Sequence, residues 1–314
     1  MTAIHFDSAM DEEARRARLY AGDLFVDRPV PGALALVDLA REMIERAFEG
    51  HDPELAQYDY PVEQYAAVLA ELKPKFIHHP RAKDCIQRML REHGCDPSKT
   101  YFDVPRMRSS TSDDYLTAGI AYAFHPHRDT WYSAPMCQLN WWLPIYEIRP
   151  DNCMAFHPKY FDTPVKNGSR EYNYQEWNRT SRQDAAKHVK ADTRKQPRPE
   201  EPIELDPQIR LLPPVGGTII FSGAQLHSSV PNDSGRTRFS IDLRTVHFDD
   251  VVARRGAVNI DSECTGTPMR DYLRMTDLAH VPEPICLEYE RGTPLAPRPA
   301  AGIRGAPIAV ARTG

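Results

Sequence analysis

Five side chains in two stretches carry most of the chemistry legible in this chain. In the run Phe124-His125-Pro126-His127-Arg128-Asp129-Thr130-Trp131-Tyr132, the imidazole of His127 and the carboxylate of Asp129 stand two residues apart. In extended backbone, residues i and i+2 point to one side, so the pair can face one ion. The second stretch leads through Phe221-Ser222-Gly223-Ala224-Gln225-Leu226 to His227, passes a turn at 230–235, and enters a β-prone run carrying Arg238 and Ser240. Two imidazoles and one carboxylate form a facial donor set that holds a divalent metal and leaves positions open. A guanidinium takes a carboxylate ligand bidentately, and a hydroxyl two residues on can donate to it as well. One hairpin therefore offers a metal ligand on one arm and an anion clamp on the other. His-x-Asp alone is common by chance; the five groups in this order are much more specific.

The first stretch leaves a choice open. His125-Pro126-His127 provides an alternative His-x-His pair of the kind cupin metal sites use. The pair His127/Asp129 is preferred, because a cupin has no use for the Arg238 clamp, and His125 then reads as a packing or supporting histidine. His157, before Pro158, reads as structural or at the rim, and His78-His79 as surface.

These groups need strands to position them, and the chain supplies them after Gly94. Short β-prone runs at 100–106, 117–125, 135–146, 153–156, 209–212, 217–222 and 236–247 alternate with Pro, Gly, Asn and Asp. That pattern predicts an antiparallel barrel or jelly roll. In 135–146, Gln138, Asn140 and Trp142 fall on one face and Leu139, Trp141 and Leu143 on the other. In 236–247, Arg238, Ser240, Asp242 and Arg244 oppose Phe239, Ile241 and Leu243. Two strands with polar faces predict a wet lumen. Ahead of them, helices are expected at 10–20, 31–48, 62–73 and 80–93 from apolar spacing, Pro starts and Gly stops. A helix is expected at 172–189 and another at 269–277. The reading is one domain over 1–314. Residues 1–98 are mostly helical, 99–248 form a jelly-roll catalytic core interrupted by a lid-like insertion at 157–208, and 249–314 form a C-terminal extension. The fold class is mainly β with flanking helices, the N-terminal helices packed on one face.

The whole chain sets outer bounds. In 314 residues, 41% are hydrophobic and 26% charged, with a net charge of -5, which describes a soluble globular protein. Without a basic excess, nucleic acid or an anionic membrane is not an expected partner. No apolar run long enough for a membrane span occurs, and six scattered cysteines favour a reducing, cytoplasmic setting over a disulfide framework. The 28 prolines fit a loop-rich chain.

The order His127-x-Asp129, His227, Arg238-x-Ser240 resembles the Fe(II)/2-oxoglutarate-dependent dioxygenases, and its local phrasing resembles their phytanoyl-CoA dioxygenase (PhyH-like) branch. The polar strand Cys137-Gln138-Leu139-Asn140-Trp141-Trp142, the turn Pro150-Asp151-Asn152, the run Met154-Ala155-Phe156-His157-Pro158, and His227-Ser228-Ser229-Val230-Pro231-Asn232-Asp233-Ser234 carry the likeness. It covers roughly residues 100–248, fits the N-terminal helices loosely and does not reach the C-terminal extension. The resemblance implies a double-stranded β-helix in which His127, Asp129 and His227 hold Fe(II). It also implies that Arg238, with Ser240, binds the distal carboxylate of 2-oxoglutarate, that O2 is the second cosubstrate, and that succinate and CO2 are released. Related halogenases lack the carboxylate ligand, so retention of Asp129 implies hydroxylation; desaturation, cyclisation and epimerisation share the same ligands. Gln138 and Asn140 are expected at the lumen, one amide on 2-oxoglutarate. Trp131, Tyr132, Trp142 and Arg106 are substrate-side candidates, against readings as aromatic core or, for Arg106 with Arg108, a solvated face. Arg244 reads as a partner of Asp242. A cupin-like metal enzyme and a non-catalytic jelly-roll binding protein are the alternatives from other classes. The substrate class expected is a small polar metabolite; oligomeric state is left open.

Overall fold

The computed structural model describes residues 2–121, 124–180, 194 and 196–296. Its strands are β1 (Ile4–Phe6), β2 (Leu24–Asp27), β3 (Thr100–Phe102), β4 (Arg106–Ser110), β5 (Leu139–Pro144), β6 (Met154–Phe156), β7 (Ile209–Leu211), β8 (Thr218–Ser222), β9 (His227–Ser229), β10 (Arg238–His247) and β11 (Leu273–Arg274). The helices are α1 (Glu12–Tyr20), α2 (Pro31–Ala47), α3 (Val62–Ile77), α4 (Pro80–Glu92), α5 (Tyr174–Thr180), α6 (Phe248–Ala253) and α7 (Glu283–Tyr289).

A large sheet runs β1-β2-β8-β5-β10-β3-β11, with β4 also paired to β10, and a small sheet runs β7-β6-β9. All pairings are antiparallel except β1 with β2. Strand β10 is the axis of the large sheet. Its alternation sends Phe239, Ile241 and Leu243 into a core with Leu139, Trp141 and Leu143 and the apolar faces of α2, α3 and α4. The opposite face turns to the small sheet across Trp142, Ile219, Phe221, Met154 and Phe156. The polar residues Arg238, Ser240, Asp242 and Arg244 point into this space between the sheets, because directly paired residues share a face. Arg238 pairs Ser110, Ser240 pairs Arg108, Asp242 pairs Arg106 and Trp142, and Arg244 pairs Asn140.

The helices form where their spacing predicts. Asp11 caps α1, its carboxylate accepting from the Ala14 N–H at 2.8 Å, and Pro31 and Pro80 start α2 and α4. Helix α3 runs past its expected end at 73, through Pro74, because Phe76 is buried in the core and anchors the last turn. Helices α2 and α4 touch at Gly32, where a Cβ would stand 2.4 Å from the Met89 nitrogen. Backbone cannot yield as a flexible side chain would, so Gly32→Ala is expected to cost about 1–3 kcal/mol, read as a lower urea midpoint with an unchanged m-value.

Three expectations change. The helices hold more residues than the strands, so the class is mixed α and β rather than mainly β. The described part of 117–125 is turn and bend rather than strand. There Thr111 Oγ1 bonds to the backbone of Leu116 and Ala121, and such local bonds compete with ladder pairing. The expected helix at 269–277 is a 3-10 turn, Met269–Asp271, followed by β11. Met269, Tyr272 and Met275 are all buried, and their three-residue spacing mimics a helix while Leu273 pairs with Phe102. The helix expected at 172–189 is described only as α5; the rest of it, and the proline-rich tail from 297, lie outside the described residues. No helix among the described residues is long and apolar enough to cross a membrane.

Candidate metal centre

The two histidines meet because the backbone pairs them directly. The His127 N–H donates to the His227 carbonyl at 2.9 Å and the His227 N–H donates back at 3.0 Å. Their rings stand side by side, centroids 4.3 Å apart. Each ring also bonds the carbonyl two residues back through Nδ1, His127 to His125 at 2.9 Å and His227 to Gln225 at 3.0 Å. A carbonyl can only accept, so Nδ1 carries the proton in both rings and Nε2 is the free lone pair.

Asp129 reaches the same point by alternation. Arg128 is extended, with φ -110° and ψ 142°, and Asp129 opens a 3-10 turn that runs to Tyr132. His127 and Asp129 thus share one side, while Arg128 points to the other, fully buried. There Arg128 donates from Nε to Asp261 at 3.0 Å and from Nη1 to the Ala224 carbonyl at 2.5 Å. Asp129 Oδ1 lies 3.4 Å from His127 Nε2 and 4.0 Å from His227 Nε2. Octahedral cis donors with bonds of ~2.1 Å stand ~3 Å apart, so these groups need only a small inward movement to close on one ion. All three residues are 6–9% exposed. Burial, then His127, pushes the His227 imidazole down to about 3, which keeps it neutral and able to ligate. Burial works to raise the Asp129 carboxyl, but the adjoining His127 and the charge of Arg244 outweigh it and hold the group ionised. His127, Asp129 and His227 are the group of potential ligands that converges among the described residues. His125 is outside it, its Nε2 3.0 Å from the Pro197 carbonyl and 3.1 Å from the Tyr132 hydroxyl. The His-x-His alternative therefore has no geometry behind it.

Only Oδ1 of Asp129 faces the imidazoles. Oδ2 accepts from Gln138 Nε2 at 3.0 Å and lies 3.5 Å from Arg244 Nε. Arg244 also reaches Asp242 at 3.3 Å and Asp103 at 3.4 Å. The expected Arg244–Asp242 pair is there, and the same guanidinium additionally braces the metal carboxylate.

Arg238 lies in the same space and is not an ordinary salt-bridge residue. Nη1 donates to the Asn152 carbonyl at 3.0 Å and the Cys153 carbonyl at 3.3 Å, and Nη2 to Ser229 Oγ at 3.3 Å. Among the described residues it has no carboxylate partner, and burial pushes its guanidinium down to about 10. Its Nε is buried without a hydrogen-bond partner, and so are the hydroxyls of Ser240 and Ser110. Ser110 is its direct cross-strand neighbour. Unpaired buried polar atoms cost about 1–3 kcal/mol each, so three in one place read as a cradle for an anion. The Nε edge of a guanidinium is one of the forks that a carboxylate takes bidentately.

The remaining candidates fall outside this cradle. Gln138 and Asn140 sit behind Asp129, Gln138 Nε2 also donating to Asn140 Oδ1 at 2.8 Å. Trp131 is fully buried and donates to Asp261 at 2.9 Å, so it supports the turn instead of walling a pocket. Trp142 packs in the layer between the sheets, 5.8 Å beneath the Arg238 guanidinium. Arg106 is tied to Asp103. Tyr132 does line the triad, edge-on to His127 at 5.6 Å, its hydroxyl donating to the Pro197 carbonyl at 3.1 Å. Pro197 belongs to the insertion and borders a cavity of about 180 Å³ lined also by Tyr172, Arg198 and Glu200. His157 is structural, bonded to Ser228 Oγ at 3.0 Å and to the Leu205 carbonyl at 3.1 Å. Sequence reasoning missed Ser110, Ser229 as a partner of Arg238, and Tyr272, whose hydroxyl donates to Gln138 Oε1 at 2.7 Å. Ser229 carried a signal, being two residues past His227 on one strand; Tyr272 carried none.

No family model matches this chain, and no curated protein does. Among solved structures it is similar to the apo form of ThoJ, described as a non-heme monooxygenase, at 12% identity over 74% of this chain and 76% of that one, TM-score 0.40. It is similar to the epimerase SnoN in complex with Fe3+, alpha-ketoglutarate and nogalamycin RO, at 14% identity over 75% and 85% of the two chains, TM-score 0.39. EvdO2 from Micromonospora carbonacea var. aurantiaca matches at 12% identity over 78% and 94%, TM-score 0.40. At these values the likeness carries no weight on chemistry, which has to come from the side chains themselves.

Proposed function

We propose that this chain is an Fe(II)- and 2-oxoglutarate-dependent oxygenase with a double-stranded β-helix core. In this reading it hydroxylates an unactivated C–H bond of a small polar metabolite, with release of succinate and CO2. The observation that carries the reading is a buried His127/Asp129/His227 donor set in the same inter-sheet space as a guanidinium edge without a partner. A metal site alone fits many enzymes; a metal site beside an unpaired guanidinium edge fits a keto-diacid that bridges the two.

Each residue has a physical task in this reading. His127 and His227 present Nε2, fixed by their Nδ1 bonds. Asp129 presents one oxygen, because Gln138 and Arg244 hold the other. Arg238, with Ser240 and Ser110, takes the distal carboxylate. The low exposure of the triad excludes bulk water, and Tyr132 with Pro197 covers the His127 side. Iron, when bound, would supply the keto-acid and O2 chemistry that couples decarboxylation to attack on the C–H bond. Retention of Asp129 favours oxygenation over halogenation. Desaturation, cyclisation or epimerisation would use the same residues and differ only in the substrate.

The test is consumption of 2-oxoglutarate by the Fe(II)-loaded protein, with mass-spectrometric screening of small metabolites for a gain of one oxygen. Stoichiometric succinate is the expected result. Succinate formation absent under every substrate mixture, together with undiminished metal binding, would favour a cupin-like or binding role.

A further inference from the structure

We infer that Tyr272, in the C-terminal extension, is a positioning residue for the metal carboxylate: through Gln138 it holds Asp129 as a one-oxygen ligand. This rests on the metal-centre reading above and deepens it, because it draws into the site a segment to which the sequence resemblance does not extend.

The geometry forms a directed chain. The Tyr272 hydroxyl lies 2.7 Å from Gln138 Oε1, and Gln138 Nε2 lies 3.0 Å from Asp129 Oδ2 and 2.8 Å from Asn140 Oδ1. An ionised carboxylate only accepts, so the amide nitrogen must face Asp129 and the amide oxygen must face Tyr272. Tyr272 then has to donate. It can, since burial and the nearby Asp103 carboxylate push its phenol well above the ordinary range and keep it protonated. With Tyr272 in place the amide has one satisfied orientation. Without that hydroxyl, Gln138 Oε1 loses its partner and the amide is free to turn, which removes a donor from Oδ2 or sets an oxygen against it.

The consequence falls on coordination. Oδ2 is restrained by two groups, Gln138 Nε2 and Arg244 Nε. If one lets go, the carboxylate can rotate and offer both oxygens to the ion, occupying a position that a chelating cosubstrate needs. The same extension also grips the turn that carries Asp129. Asp261 accepts from Arg128 Nε at 3.0 Å and Trp131 Nε1 at 2.9 Å, Ser262 Oγ donates to the Thr130 carbonyl at 2.5 Å, and Ser133 Oγ donates to the Thr265 carbonyl at 2.6 Å. Segment 259–272 therefore places the backbone of Asp129 and, through Tyr272, the rotation of its side chain.

Tyr272→Phe removes one oxygen from a fully buried ring and leaves its packing. Tyr289→Phe, in the same extension, removes a hydroxyl that donates to the Val251 carbonyl and is the control. Both are titrated with Co(II) by calorimetry, and the visible spectrum of each Co(II) complex is recorded. Wild type and Tyr289→Phe are expected to share one affinity and one spectrum. Tyr272→Phe is expected to bind about 10-fold more weakly, with d–d bands altered in shape because the carboxylate has changed its mode. A Tyr272→Phe protein with wild-type affinity and spectrum overturns the inference, and so does an equal change in Tyr289→Phe, which would mean general loosening of the extension. Wild-type protein that binds no Co(II) overturns the metal-centre reading itself, and the inference with it.

Discussion

Replacing His227 with alanine is expected to lower Fe(II) affinity by more than about 100-fold and to abolish turnover. Changes in the groups that merely support a metal ligand cost 10–100-fold, and His227 supplies one of three donors. The imidazole is buried and neutral, its Nε2 4.0 Å from Asp129 Oδ1, so no other described side chain stands ready to replace it. His127→Ala should behave alike. Asp129→Ala should do more, because it also strips Gln138 Nε2 and Arg244 Nε of their shared acceptor. The fold itself should survive, since the backbone pairing of 127 with 227 uses main-chain groups only. Calorimetric titration of the apo proteins with Fe(II) under argon, beside circular dichroism to check folding, measures this. Saturable, wild-type binding in both histidine variants would falsify the triad.

The second large effect belongs to Arg238. Arg238→Gln is expected to weaken 2-oxoglutarate binding to the metal-loaded protein by about 100-fold and to leave metal affinity unchanged. Hydrogen bonds to charged groups contribute about 1.5–3 kcal/mol each, and two of them on the Nε edge account for that ratio at ~1.4 kcal/mol per decade. The expected stability effect separates clamp from scaffold. In the wild type, 2-oxoglutarate at 100 times its Kd should add about 2.7 kcal/mol to stability, whereas the variant at the same concentration should gain almost nothing. Loss of apo stability is offset in part, because the buried guanidinium has no carboxylate partner among the described residues and is pushed down to about 10. Full 2-oxoglutarate affinity in Arg238→Gln would remove the cosubstrate assignment while leaving the metal centre standing.

The parts of this site legible in the sequence are those whose spacing has a single geometric meaning. His127 and Asp129 share a side because an extended residue separates them, and Arg128 is extended. Strand β10 splits its residues between core and lumen as its alternation predicts, with Phe239, Ile241 and Leu243 in the helix-side core. The N-terminal helices lie within a few residues of their expected bounds, since Pro and Gly mark their ends. Where local signals compete, the reading failed. The described β-prone residues of 117–125 yield to the side-chain bonds of Thr111, and the apolar triplet Met269, Tyr272 and Met275 imitates a helical period while filling the core from an irregular segment.

By itself the sequence determined which groups can do chemistry: two imidazoles, a carboxylate, a guanidinium and a hydroxyl, on runs that alternate polar and apolar. Side-chain type and strand period are local properties, and one chain is enough to read them. Only the tertiary structure decided how the groups are held. The facing of His127 and His227 is set by two backbone bonds between residues far apart in the chain. The choice of one Asp129 oxygen is set by Gln138, Arg244 and, behind Gln138, Tyr272. Gln138, expected at the lumen, lies behind Asp129, and Trp131, open between a pocket wall and aromatic core, is turned to Asp261. Such assignments depend on which segments pack together, and packing between distant segments has no period that a sequence can display.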